Sequence, residues 1–231
     1  MSKKTFVYTG CENLEAMLEA VNYNKFLIKI IMDQVGSKKS KKILDFGAGS
    51  GTYANMLKEQ GITPDCLEPD KVLQAKLKDD GFKVLKSSAE LKPNTYDVIY
   101  ALNVFEHIED DFAEMAKLRK ALKKGGRLII YVPAYQMLFS SMDKLVGHYR
   151  RYRTKRLRQL AESVGLNIKS LSYYEPIGFF ASLVYRFTGG SGTLTPRSVR
   201  IYDTYAFPLS KVFHPLSKKL IGKNAVLVAE K

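Results

Sequence analysis

The run Ile43-Leu44-Asp45-Phe46-Gly47-Ala48-Gly49-Ser50-Gly51-Thr52 constrains this chain more than any other, because an apolar strand passes directly into three alternating glycines. Backbone at Gly47, Gly49 and Gly51 can turn tightly and approach a ligand with no Cβ in the way, and the following segment, 52–60, has helical composition. A strand, a glycine loop and a helix open a βαβ unit. The acid that such a unit delivers to a ribose belongs at the end of the second strand, where Glu68 stands 17 residues beyond Gly51. The spacing predicts a nucleoside cradle. Read another way, Glu68-Pro69-Asp70 is a solvated turn with Asp70 capping the next helix.

The residue before the glycines discriminates among nucleosides. A carboxylate at Asp45 repels a pyrophosphate, but it suits the amino group of a methionine-like tail beside a sulfonium, which is the chemistry of S-adenosylmethionine. The dinucleotide fingerprint also asks for Gly or Ala where Thr52 stands, so G-x-G-x-x-G is incomplete.

Alternating periodicity carries the rest of the first half: strand 42–46, helix 52–60, strand 64–68, helix 70–80, short strand 82–86, strand 96–102, helix 110–123 and strand 126–132. This pattern predicts an α/β, doubly wound parallel sheet. Gly125-Gly126 reads as the stop of the helix led by Phe112, Met115 and Leu118. Ahead of the sheet, 12–35 reads as a helix or a broken pair, followed by a lysine-rich linker at 36–40. Beyond Pro133 the expectation is helix 153–164, strand 167–174, apolar helix 176–187, a loop at 188–196, a helical stretch at 199–220 and a last strand at 225–229. The whole chain, 1–231, is expected to form a single domain: a helical cap (1–40), a ligand-binding half (41–133) and an acceptor-side half (134–231) with a helical insertion at 176–220.

Residues 43–52, Glu68, Ser88-Ala89, the strand and exit at 96–108, and 125–133 resemble a class I S-adenosylmethionine-dependent methyltransferase over nearly the whole chain. Asn22-Tyr23-Asn24, the run from Asn103 to Asp111 and the run from Asp143 to Tyr152 resemble a bacterial branch associated with glycosyltransferases. The resemblance implies a seven-stranded sheet of order 3-2-1-4-5-7-6 with an antiparallel seventh strand, and S-adenosylhomocysteine as product. It implies cofactor contacts at Asp45, Gly47, Ala48, Gly49, Gly51, Glu68, Pro69, Ser88, Ala89, Asn103 and Tyr23, with adenine near Ser88-Ala89. Ser88 departs from the acidic residue usual at that position, and Ser88 or Glu90 is expected to substitute.

Charge points to the acceptor. Net charge is +14, and it is concentrated: 1–143 carries 21 basic and 19 acidic residues, whereas 144–231 carries 16 basic residues and just Glu162, Glu175, Asp203 and Glu230. An anionic partner is therefore expected, either a phosphate-bearing or lipid-linked small molecule, an acidic membrane surface or, less favoured, nucleic acid. No run is long enough for a signal peptide or a bilayer span, and Cys11 and Cys66 suggest no structural disulfide, so a cytoplasmic location with peripheral membrane contact is expected. No metal site is expected, because His107, His148 and His214 lie in different elements with no ligand spacing.

The strand ending at Leu102 delivers Asn103, Glu106 and His107 to the ligand edge of the sheet, Glu106 and His107 as catalytic candidates. Alternatively, Glu106 and His107 simply begin a helix whose dipole is complemented by Glu109-Asp110-Asp111. In 143–158 the bases Lys144, Arg150, Arg151, Arg153, Lys155, Arg156 and Arg158 meet no acid after Asp143. Arg150, Arg151 and Tyr152 are therefore expected to bind an anionic acceptor, while like charge keeps His148 neutral as a base; a solvated basic helix start is the other reading. Tyr23 belongs either to a lid over the cofactor or to plain core. The aromatic helix from Ile177 and the basic stretch after Tyr202 either face lipid or pack. The function expected is methylation, on oxygen more than nitrogen, of a small or lipid-linked acceptor. RNA methylation and a non-catalytic adaptor are the alternatives.

Overall fold

The computed structural model describes residues 15–36, 41–188 and 195–231; Cys11, linker residues 37–40 and loop residues 189–194 lie outside the described residues. Seven strands form one sheet of order β3-β2-β1-β4-β5-β7-β6: β1 (Ile43–Phe46), β2 (Asp65–Leu67), β3 (Val84–Leu85), β4 (Tyr96–Leu102), β5 (Leu122–Pro133), β6 (Asn167–Tyr174) and β7 (Asn224–Glu230). Strands β1 to β5 are parallel, and β7 runs antiparallel to both β5 and β6.

Two cores follow from the two-residue period of buried strands. Ile99 and Ala101 of β4, with Leu128, Ile130 and Val132 of β5, point to one face and meet Met115, Leu118, Leu157 and Leu160 from α4 (Asp111–Ala121) and α6 (Thr154–Ser163). Val98, Tyr100 and Leu102, with Ile129 and Tyr131, point to the other face and meet Leu27 and Ile31 of α1 (Val21–Val35). Helix α1 buries Tyr23, Leu27, Ile28, Ile31 and Val35, a stripe at helical spacing, so it cannot sit elsewhere without exposing that stripe. Helices α2 (Thr52–Lys58) and α3 (Lys71–Asp79) complete the first half. Asp70 Oδ1 caps α3 by accepting from the amides of Val72 (2.8 Å) and Leu73 (3.1 Å).

One boundary differs from expectation. Gly125-Gly126 does not end a helix: α4 stops at Ala121, and Leu122, fully buried, already pairs with Tyr96 as the start of β5. The glycines sit inside an irregular strand, where a Cβ on Gly126 would lie 2.8 Å from the Lys123 carbonyl oxygen. The stretch 199–220 is helical as expected, α8 (Pro196–Ile201) passing through a π turn, Tyr202–Ala206, into α9 (Phe207–Ser217). Ahead of α1, a 3₁₀ turn at Met17–Glu19 is broken from the helix at Ala20, which is the broken-pair reading of this segment. Helix α5 (Ser141–Leu145), starting on a Ser140–Asp143 capping box, and helix α7 (Pro176–Thr188) complete the acceptor side.

Candidate active site

Sheet order reverses between β1 and β4, and the crevice outside their carboxyl ends holds a cavity of about 470 Å³. Its first wall is the glycine loop. Gly47, Gly49 and Gly51 have φ of 79°, 55° and 84°, and a Cβ on Gly47 would lie 2.5 Å from Val104 Cγ2, so the backbone there must stay bare. Glu68 spans the loop: Oε2 accepts from the Gly49 amide at 2.8 Å and Oε1 from the Asp70 amide at 2.9 Å. Each oxygen retains a lone pair for a further donor. Burial raises the Glu68 carboxyl above its usual range against those two amides.

Asp45 is the more telling carboxylate. It is buried, its Oδ2 has no hydrogen-bond partner among the described residues, and burial lifts its pKa to about 7 against the nearby Tyr100 phenol, with Glu68 adding to the rise. A buried acceptor with nothing to accept from lacks a cationic donor, and an ammonium group supplies one. Tyr23 closes the cavity from α1, with Asn103 Nδ2 at 3.5 Å from its hydroxyl. That end of α1 is pinned by Asp203, whose carboxylate accepts from the amides of Asn22 (2.8 Å) and Tyr23 (2.9 Å).

The second wall carries Glu106, His107 and His148, which the chain brings together from positions 41 residues apart. His148 Nδ1 lies 2.7 Å from Asp143 Oδ1, its Nε2 lies 3.9 Å from Glu106 Oε1, and its ring packs edge-on to His107 at 4.5 Å. Asp143 is saturated: Arg151 Nε and Nη2 each donate at 2.8 Å, and the Ser140 amide donates at 2.8 Å. Burial alone would raise Asp143, yet the partners His148 and Arg151 win and hold it well below the usual carboxylate range. Glu106 is its opposite. Fully buried with neither oxygen hydrogen-bonded to a described residue, it is pushed up to about 8 by burial, the nearby Arg151 opposing. Burial and the neighbouring His148 press His107 down to about 4, although backbone hydrogen bonds with Gly147 and Val146 oppose them.

The ligand atoms of Glu106, His107 and His148 all lie within 4.8 Å of one another, a two-histidine, one-carboxylate donor set suited to a divalent transition ion. Sequence spacing hid this convergence, and the reading that the histidines bear no relation is corrected for His107 and His148.

Of the expected cofactor residues, Asp45, Gly47, Ala48, Gly49, Glu68, Pro69, Ser88, Asn103 and Tyr23 line the cavity, whereas Gly51 and Ala89 do not. Gly51 serves as the left-handed residue opening α2. Ser88 Oγ accepts from Lys117 Nζ at 3.2 Å, and Glu90 turns back to the Lys86 amide at 3.3 Å.

The arginine expectation needs correction. Arg150 is bound to Asp111 (3.0 Å) and to the Glu109 carbonyl (2.8 Å), away from the cavity. Tyr152 is fully buried, donates to the Phe105 carbonyl and lies 2.9 Å from Asp111 Oδ2. Arg151 does line the cavity, yet two of its nitrogens are spent on Asp143, leaving Nη1 with no hydrogen-bond partner among the described residues. The positive run expected around His148 is compensated at three of its arginines, Asp111 engaging Arg150 and Arg156 from outside and Asp143 engaging Arg151 from the start of the run.

Residues that sequence reasoning missed are Asp143 as the orienting acid, Asp203 as the anchor of the lid, and Lys223 and Asn224 on the cavity wall. The signal for Asp143 was present: it is the lone acid in a basic run, five residues before a histidine.

A family model described as a methyltransferase domain matches residues 18–171. A ubiquinone biosynthesis O-methyltransferase of Vibrio cholerae is 24% identical over 136 residues, covering 54% of this chain and 52% of its own; the chain spans about half the length of the curated relatives it matches. Among solved structures, a SAM-dependent methyltransferase from Archaeoglobus fulgidus superposes with TM-score 0.60 at 16% identity, covering 90% of this chain and 94% of its own. Phosphoethanolamine N-methyltransferase 2 from Haemonchus contortus, in complex with S-adenosyl-L-methionine, superposes with TM-score 0.61 at 15% identity over 91% of this chain and 52% of its own. These likenesses in fold join a family match over more than half of the residues and a cradle that lacks a cationic donor: the chain belongs to the class I methyltransferases, with S-adenosylmethionine as cofactor.

Proposed function

We propose that this enzyme methylates a hydroxyl oxygen of a small or lipid-linked acceptor, with His148 as the proton acceptor. One observation carries the reading: Asp143 engages His148 Nδ1 at 2.7 Å, which assigns the proton to that nitrogen and leaves Nε2 as the basic atom of a ring that lines the cavity. When bound, the cofactor supplies an electrophilic methyl group. Asp45 would hold its ammonium, and Glu68 its ribose hydroxyls. His148 would take the acceptor's proton while Asp143 stabilises the imidazolium formed. Glu106, protonated below about pH 8, leaves that task to His148. Arg151 and Lys223 line the cavity and would meet an acidic group on the acceptor. Alignment supplies the larger share of rate, and base catalysis adds about 10²- to 10⁴-fold. The name of the Vibrio relative, an O-methyltransferase, supports oxygen as the target.

The test uses methyl-labelled cofactor and fractionated cell extract. Label should enter the lipid or small-molecule pool with the wild type and fall at least about 100-fold with His148→Ala at unchanged cofactor affinity. Unchanged turnover in that variant removes the base role, and label in RNA overturns the acceptor class.

A further inference from the structure

Two helices of the acceptor side carry more apolar surface than the core uses. Helices α7 and α9 pack against one another. Their inner residues are committed: Phe179 lies edge-on to Tyr135 at 5.3 Å, and Phe207 to Tyr23 at 5.7 Å and Phe26 at 5.6 Å. The outer side of α9 repeats the helical spacing in the opposite sense. Leu209, Val212, Phe213 and Leu216 follow i, i+3, i+4 and i+7, all are exposed, and Leu220 extends the stripe into the next turn. On α7, Phe180 and Phe187 are exposed seven residues apart. Phe187 and Leu216 are 80% and 81% exposed, values at which a large apolar side chain gains nothing from its own fold.

Charge on this face has one sign. Between residues 176 and 229 the sole acid is Asp203, buried under the α1 amides, while Lys211, Lys218 and Lys219 are exposed. Arg200 is excluded from the count because Glu19 pairs with it at 2.8 Å. Aliphatic and aromatic side chains alternating with lysines on a helix too short to span a bilayer have the character of an element lying in a lipid interface. Nucleic acid would leave the leucines unused. The chain leaving α9 is fastened by the Tyr135 hydroxyl donating to the Leu220 carbonyl, and three residues later Lys223 enters the cavity wall.

We infer that the exposed face of α7 and α9 docks on an anionic lipid bilayer, with the apolar stripe in the interface, the lysines on the headgroups and the cavity wall beside the membrane. Vesicle flotation reads this without any methyl transfer, so its outcome stands apart from the active-site reading. The protein should float with vesicles of phosphatidylcholine plus phosphatidylglycerol and remain behind with phosphatidylcholine alone. Lys218→Glu with Lys219→Glu should cut partitioning at least about ten-fold, and Val212→Glu with Leu216→Glu should abolish it. These side chains are exposed, so unchanged circular dichroism and cofactor affinity confirm that the variants fold. No flotation, or equal flotation on both vesicle types, overturns the inference. So does a dimer in light scattering that Val212→Glu with Leu216→Glu dissociates, since a second copy would then occupy the face.

Discussion

Two sets of buried carboxylates, which meet at His148, are solved in opposite ways. Under the basic segment, Asp143 and Asp111 accept from Arg151, Arg156, Arg150, Tyr152 and His148, and both titrate below the usual range although burial alone would raise them. Around the crevice, Asp45 and Glu106 are as deeply buried, yet oxygens on each have no hydrogen-bond partner among the described residues, and burial lifts them to about 7 and about 8. Paired acids hold the scaffold in place. Acids left unsatisfied at a cavity mark where something other than protein is meant to arrive, because a fold tolerates their desolvation only where binding offsets it.

The contrast breaks most severely at Asp143. Asp143→Ala strands Arg151 and His148 together, and urea denaturation should show a loss of about 3–5 kcal/mol; a loss near zero would mean the network is ornamental. Glu68→Gln should weaken cofactor binding about 10- to 1000-fold by calorimetry, and it should also cost about 1–3 kcal/mol in urea, because its NH2 cannot accept from the Gly49 or Asp70 amide that the carboxylate oxygen served.

Glu106→Gln sharpens the comparison from the other side. Its folded pKa lies above the unfolded value, so the native state binds the extra proton and its contribution to stability declines as pH rises toward about 8. His107, depressed to about 4, acts with the opposite sign between there and its ordinary 6.5, and Asp45 is largely spent above about 7. Between pH 7 and 8 the wild type should therefore lose roughly 1 kcal/mol of stability while the Gln variant stays level. The smallest effect belongs to Tyr152→Phe, which deletes one buried donor to Asp111 and the Phe105 carbonyl. It should cost about 1 kcal/mol and leave kcat untouched, whereas an acceptor-binding tyrosine would raise KM.

The same comparison explains what the sequence could disclose. The glycine loop, Asp45 and Glu68 are legible because a strand, a bend and the next strand fix their relation locally, and the sheet order follows from the alternation that builds it. The wall formed by Glu106, His107, His148 and Asp143 depends on a loop from α5 returning to the edge of β4. Its clearest backbone trace is the Tyr149 amide donating to the Glu106 carbonyl at 2.8 Å. No local spacing encodes that return. Arg150 escapes for the same reason: the run looks uncompensated until Asp111, 39 residues before Arg150, is folded against it. Tyr23 as a cavity residue was legible as one of two readings, but its anchor, Asp203, lies 180 residues away.

Asp45 offers the most direct measurement. Calorimetric titration of the wild type with S-adenosylmethionine, in buffers of differing ionisation enthalpy from pH 6 to 8, should show affinity rising with pH up to about 7 and protons released on binding, as the buried carboxyl ionises against the incoming ammonium. Asp45→Asn should abolish that pH-dependent component. Affinity independent of pH with no proton release, or the same profile in Asp45→Asn, would contradict the claim that an unsatisfied carboxylate defines this site.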